Sequence, residues 1–326
     1  MTKTICALIA ATALLATAAS ADDSSAALAM GGVVFTKNTP VRMAGEDLYV
    51  SPKTVRVRFE FVNDTGNAVV TIVAFPLPDI DTNEYSESAV GTITPDPVNF
   101  VGFKLAVNGK PVPFQVEQRA FYKGRDVTAA LKAAGVPLNV IADDGYKTLD
   151  AVGGTKRAAL FKADLVDDEG EGHLHPHWIV RTKFYWTQTF PAHSTTVIEH
   201  SYQPVTGQFF FSFMTEDVQG KSAEATDYCF DGATRAKVAA MIAARKKTPG
   251  PNGDYLNAYV TDYILKTANN WNGPIGRFHL TLDKIKPDNV LSLCWRGDLK
   301  KVGPTTFDAV RTNFAPDQDI HLLVLE

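Results

Sequence analysis

Apolar and polar positions alternate along most of this chain, and the repeat is two residues rather than three or four. Between Val55 and Phe61, the residues Val55, Val57, Phe59 and Phe61 fall on one side, with Arg56, Arg58 and Glu60 on the other. That is the pattern of a strand buried on one face. The longest such stretch runs from Trp178 to Pro204. Trp178, Val180, Phe184, Trp186 and Phe190 alternate there with Arg181, Lys183, Thr187 and Thr189. Pro191 cannot continue a ladder, so a turn is predicted at Pro191–Ser194, with a return through Val197, Ile198 and Tyr202. The result expected is a long aromatic hairpin that needs another layer to cover it.

Further strands follow the same logic. Short ones are predicted at Val33–Thr36, Val41–Met43 and Leu48–Val50. Ala68–Phe75 is almost continuously apolar, which predicts a central strand covered on both faces, reached through a polar hairpin loop at Asn63–Asn67. Asn108-Gly109 lies between Phe103, Leu105, Val107 and Val112, Phe114, Val116, the sequence form of a two-residue hairpin turn. Phe209–Met214, Tyr259–Leu265, Phe278–Leu282, Val290–Trp295 and Ile320–Leu325 complete the strands. Three segments break the pattern. Asp126 caps the run VTAALKAAG, which ends at Gly135; Thr155–Ala163 suits a second helix; Asp231 caps a third through Arg245. A mainly β chain is expected, built as two antiparallel β-sandwich lobes. The first lobe spans 22–206 with a helical insertion at about 123–172, and the second spans 207–326 with one helix.

Charge and targeting narrow the setting. The net charge of −4 leaves no basic surplus to displace counterions from phosphates, so nucleic acid is not the expected partner. Residues 1–21 have the form of a signal peptide: Lys3, an apolar run from Ile5 to Thr17, and Ala19-Ser20-Ala21 before the cleavage point. No later apolar run reaches the roughly 18 residues of a membrane span. A periplasmic or secreted protein is expected. Cys229 and Cys294 then remain in an oxidising compartment, where a lone pair is most simply a disulfide.

Candidate chemistry is sparse. The chain contains no G-x-S-x-G, H-E-x-x-H, P-loop or G-x-G-x-x-G motif. The segment DDEGEGHLHPH sets His173, His175 and His177 on alternate positions behind Asp167, Asp168, Glu169 and Glu171. Imidazoles with a carboxylate can hold zinc, copper or nickel; the simpler reading is a solvated acidic loop leading into a strand. His200 shares a face with Ile198 and Tyr202 and is expected to be half-buried and hydrogen-bonded. His193 and His279 are expected to be exposed, and Ser194 beside His193 lacks any oxyanion-hole motif. Asp79 and Asp81 read as loop carboxylates rather than an acid–base pair.

Several ordered segments resemble a known family. SSAALAMGGVVFTKN, VRMAGEDLYVS, AFPLPDI, WTQTFPAHSTTVIEHSYQPVTG and NWNGPIGRFHLTLDK followed by LCWRGDLKKVGPTTF are similar to the bacterial domain of unknown function family 4424, over essentially the whole mature chain. The resemblance implies an exported protein with an immunoglobulin-like β fold, and carries over no catalytic residue, cofactor or partner. The expected function is a non-enzymatic periplasmic or secreted binding module for an envelope protein or small ligand. The alternatives are an envelope-directed hydrolase and a metal-binding protein using the His-rich loop.

Overall fold

The period-two strands assemble into two large sheets whose apolar faces meet. The structure, a computed structural model, describes residues 24–29, 32–35, 37, 39–85, 94, 96–142, 144–212, 219–248 and 255–326. The expected signal peptide at 1–21 lies outside the described residues. One sheet has eight strands, in spatial order Lys300–Lys301, Thr306–Phe314, Ile275–Asp283, Arg42–Val50, Val55–Asn63, Ser194–Tyr202, Lys104–Val107 and Lys110–Pro111. The other has seven. Its main path is Arg125–Asp126, Gln115–Tyr122, Ile179–Phe190, Val69–Pro76, Ser24–Ala29 and Gly32–Phe35, and Ile80–Asp81 also pairs with Ile179–Phe190. The chain is mainly β.

Aromatic side chains fill the space between the sheets. Phe103 stacks on Phe184 with ring centroids 4.2 Å apart, Phe61 meets Phe190 edge-on at 5.6 Å, and Phe75 lies 4.4 Å from His200. Phe59, Phe61, Phe75, Phe184 and Phe190 are all buried. Removing each such ring from water stabilises the fold by about 1.5–3 kcal/mol.

The predicted aromatic hairpin is instead an arch. Ile179–Phe190 pairs with Val69–Pro76 and Gln115–Tyr122 in the seven-stranded sheet. Ser194–Tyr202 pairs with Val55–Asn63 and Lys104–Val107 in the eight-stranded one. Val55–Asn63 and Val69–Pro76, expected as a hairpin through Asn63–Asn67, are likewise split between the two sheets. Alternation dictates which side chains share a face. It does not dictate whether two successive strands lie side by side or face each other across a core, and here both pairs take the second arrangement. The Asn108-Gly109 turn forms as expected, both residues at positive φ (49° and 74°), but the return strand stops at Pro111. Pro111 and Pro113 offer no N–H to a ladder, and the chain crosses to the other sheet as Gln115–Tyr122.

The chain beyond Gly207 contributes to two sheets instead of building a lobe of its own. Ile275–Asp283 pairs in parallel with Arg42–Val50, placing Thr306–Phe314 and Lys300–Lys301 in the same sheet as the N-terminal strands. Gly276 makes that approach possible, since a Cβ there would sit 2.5 Å from the Ala44 carbonyl oxygen. The remaining strands form a four-stranded sheet: Gly207–Phe211, Leu256–Tyr263, Ile320–Leu325 and Val290–Ser292. From Leu322 to Leu325, strand Ile320–Leu325 is buried on both faces. Leu322 and Val324 join the main core, while Leu323 and Leu325 join Val238 and Ile242 of helix Gly232–Lys247 in a second one. Asp231 caps that helix, its Oδ1 accepting from Thr234 N at 2.6 Å.

Among the described residues, the helical insertion holds three helices, Thr128–Ala134, Gly145–Asp150 and Gly154–Lys162, of which the middle one was not expected. Gly135 ends the first at φ 81°, the left-handed cap that its glycine predicts. Trp178 fastens the insertion to the sandwich, donating its indole N–H to the Leu138 carbonyl at 2.7 Å.

Candidate functional site

The outward face of the eight-stranded sheet carries the polar half of the alternation, and strand register sorts it into rows. One row reads His279, Asp47, Arg58, Glu199, Ala106 on five adjacent strands. The next reads Asp308, Thr281, Tyr49, Arg56, Ser201, Lys104. A cavity of about 770 Å³ opens over these rows. Pro111, Val112 and Phe114, where the chain leaves the sheet edge, add an apolar wall.

Toward the parallel pair the charges are tied together. Asp47 Oδ1 accepts from Arg277 Nη1 at 2.9 Å and faces His279 Nδ1 at 3.2 Å. Partial burial pushes the Asp47 carboxyl up, but Arg277 and His279 outweigh it and hold its pKa below the usual value. His279 Nε2 faces Asp308 Oδ2 at 3.0 Å, and Thr281 Oγ1 donates to Asp308 Oδ1 at 3.0 Å. Arg58 donates to Glu60 at 2.6 Å. Tyr49 donates its hydroxyl to Asp283 at 2.7 Å, and burial followed by this bond raises its pKa.

Toward the sheet edge the cations stand differently. Arg56 lies with its guanidinium carbon 4.2 Å above the Tyr49 ring, and Lys104 extends from the next strand but one. Among the described residues, neither has a carboxylate within ion-pair distance. Glu199 stands one pleat away from Ser201 on the strand between them. A second cavity, of about 740 Å³, lies beside Cys229 and Cys294, and its cations are each matched with a carboxylate. Lys266 pairs with Asp319 at 3.1 Å, Arg296 with Asp317, and His321 with Asp262 at 2.9 Å.

His279, Asp308 and Thr281 bring imidazole, carboxylate and hydroxyl together. Both imidazole nitrogens face carboxylates, however, and the hydroxyl turns to Asp308, so no base is aimed at a nucleophile. Binding needs only fixed donors on a rigid support, and strands in mid-sheet supply it.

The residues singled out in the sequence separate. Cys229 and Cys294 form the expected disulfide, with Cα atoms 5.0 Å apart. His173, His175 and His177 do not converge on one point. The acidic loop expected there is a two-stranded hairpin, Val166–Gly170 with His173–Pro176, and each imidazole meets its own carboxylate. His173 Nδ1 lies 2.8 Å from Asp150, His175 Nδ1 2.6 Å from Glu169, and His177 Nε2 3.1 Å from Asp167. Among the described residues, no group of three or more His, Cys, Asp or Glu side chains is arranged to hold a metal ion. His200 is deeper than expected, 4% exposed and ringed by Phe59, Phe75 and Phe103. Burial pushes its pKa down to about 3. Asp79 accepts from Arg181 at 3.0 Å and Asp81 from the Asn83 backbone at 3.0 Å, so the two do not pair. Asp47, Tyr49, Glu199 and Asp308 were not singled out. Arg56 and Arg58 were legible as outward-facing, without a sign that they line a cavity.

Fold and site together define a disulfide-braced, mainly β protein with a ligand-sized cavity on the polar face of its larger sheet. No curated protein matches the chain. The chain belongs to the family described as domain of unknown function DUF4424, whose family model matches residues 21–323. Among solved structures, it is similar to a crystal structure from Legionella pneumophila described as that of a proposed nutrient binding protein. The identity is 15%, the TM-score is 0.43, and the match covers 87% of this chain and 67% of the other. Among the described residues, no helix is long and apolar enough to cross a membrane.

Proposed function

We propose that this protein is a non-enzymatic binding module of the periplasm or extracellular space, and that a small ligand seats in the cavity over the eight-stranded sheet. One observation carries the reading: Arg56 and Lys104 reach a cavity of about 770 Å³ without a carboxylate partner among the described residues, beside an apolar wall. Sites for small molecules combine these features, with a few fixed polar groups set in an apolar hollow of about 300–1,000 Å³. The disulfide supports an oxidising compartment, in keeping with the signal peptide expected at 1–21. The two arches crossing between facing sheets support an immunoglobulin-like reading of the sandwich.

A thermal-shift screen of the mature chain against a metabolite library tests this. A binder is expected to raise the melting temperature of the wild type and to lose that effect in Arg56→Gln. Stabilisation that survives Arg56→Gln and Lys104→Gln in full, for every binder found, contradicts the assignment of this cavity.

A further inference from the structure

We propose that the cavity selects a singly charged anion with an apolar body, most simply a monocarboxylate; this rests on the binding role given above. Arg56, Ser201 and Lys104 occupy one cross-strand row, directly opposite one another on three adjacent strands. Neighbouring strands lie about 4.8 Å apart, so the two cations are rooted about 10 Å apart with a hydroxyl between them. Long side chains rooted at that spacing close on a single carboxylate above Ser201, and Arg56 is already steadied by the Tyr49 ring. On the neighbouring strands Arg58 is committed to Glu60 and Arg277 to Asp47.

Glu199 sets the number of charges. It is two residues from Ser201 on the same strand, so it is rooted about 6.7 Å along the same face. Two free cations and one carboxylate leave this end of the cavity with a single positive charge. A second negative group on the ligand meets Glu199, whose cross-strand neighbour Arg58 is already bonded to Glu60, whereas a neutral or donor-bearing body meets no such repulsion. Pro111, Val112 and Phe114 offer that body its apolar contact.

Three probes of similar shape separate the possibilities: phenylacetate, its neutral amide phenylacetamide, and the dianion phenylmalonate. Each is titrated into the mature chain at low salt and followed by backbone amide shifts. Phenylacetate is expected to bind about tenfold more tightly than either of the others. Lys104→Gln, at an exposed position with no ion-pair partner among the described residues, lowers phenylacetate to the level of the amide. Glu199→Gln narrows the gap between phenylmalonate and phenylacetate. If the amide binds as tightly as the acid at the cavity strands, charge selection is overturned while the binding role stands. If none of the three probes shifts the cavity strands, the monoanion proposal is overturned. The library screen then decides separately whether the cavity binds anything at all.

Discussion

The Asn63 side-chain amide donates to the Phe190 carbonyl at 3.0 Å, joining the end of a strand in one sheet to the end of a strand in the other. The same Nδ2 lies 2.9 Å from Asn67 O and 3.1 Å from Pro191 O, while Oδ1 accepts from Thr65 N and Oγ1. Asn63 is fully buried, so both arches turn around one side chain. Asn63→Ala leaves these groups without their partner and is expected to cost about 2–3 kcal/mol. Arg42→Ala removes only the exposed pair with Asp64 and is expected to cost under about 0.5 kcal/mol. Chemical denaturation of the two variants checks the contrast.

Gly276→Ala tests the parallel junction. The new methyl group meets the Ala44 backbone oxygen, which cannot rotate away as a side chain does. A loss of about 1–3 kcal/mol is expected. Gly232→Ala, in open space at the start of a helix, is expected to be neutral or slightly stabilising. Equal melting temperatures for the two variants contradict the close approach of Ile275–Asp283 to Arg42–Val50.

His200 makes stability depend on pH. Its folded pKa of about 3 lies below the ordinary value of 6.5, so between these limits the unfolded chain binds the extra proton. Stability therefore rises with pH through this window and is fully present above 6.5. From pH 6.5 down to 3, the loss assigned to this residue is about 4 kcal/mol. His200→Phe is expected to flatten that part of the acid limb in a denaturant series. An unchanged acid limb contradicts the neutral, caged imidazole.

The disulfide closes a span of 65 residues between the turn after helix Ala223–Asp227 and the segment after Val290–Ser292. On chain-entropy grounds the bond contributes about 4 kcal/mol. Cys229→Ser with Cys294→Ser is expected to lower the unfolding free energy by that order, and a loss below about 1 kcal/mol contradicts a bracing role.

What could be read from the sequence was local. The Asp231 cap, the left-handed Gly135 and the Asn108-Gly109 turn each depend on a few neighbouring residues, and each is present. Burial of Phe59, Phe184 and Ile198 followed from alternation alone. Pairing was the difficulty. Phe190 and Val197 sit on strands that face rather than flank each other, and the same inward pattern serves either arrangement. The site was hidden for a related reason. Arg58 was visibly outward, but its row neighbour Asp47 is bonded to His279, which lies 232 residues further along the chain. No periodicity reports a parallel neighbour at that distance. His173, His175 and His177 were legible as an alternating row, but the carboxylates that each ring meets, Asp150, Glu169 and Asp167, were not.

The most direct test of the account is a map of amide shifts during titration with a binder from the library screen. The perturbations are expected to be contiguous across Arg42–Val50, Val55–Asn63, Ser194–Tyr202 and Lys104–Val107, with the surroundings of Cys229 and Cys294 unmoved. Perturbations centred on the disulfide cavity or the His173–Pro176 hairpin, with those four strands silent, contradict it.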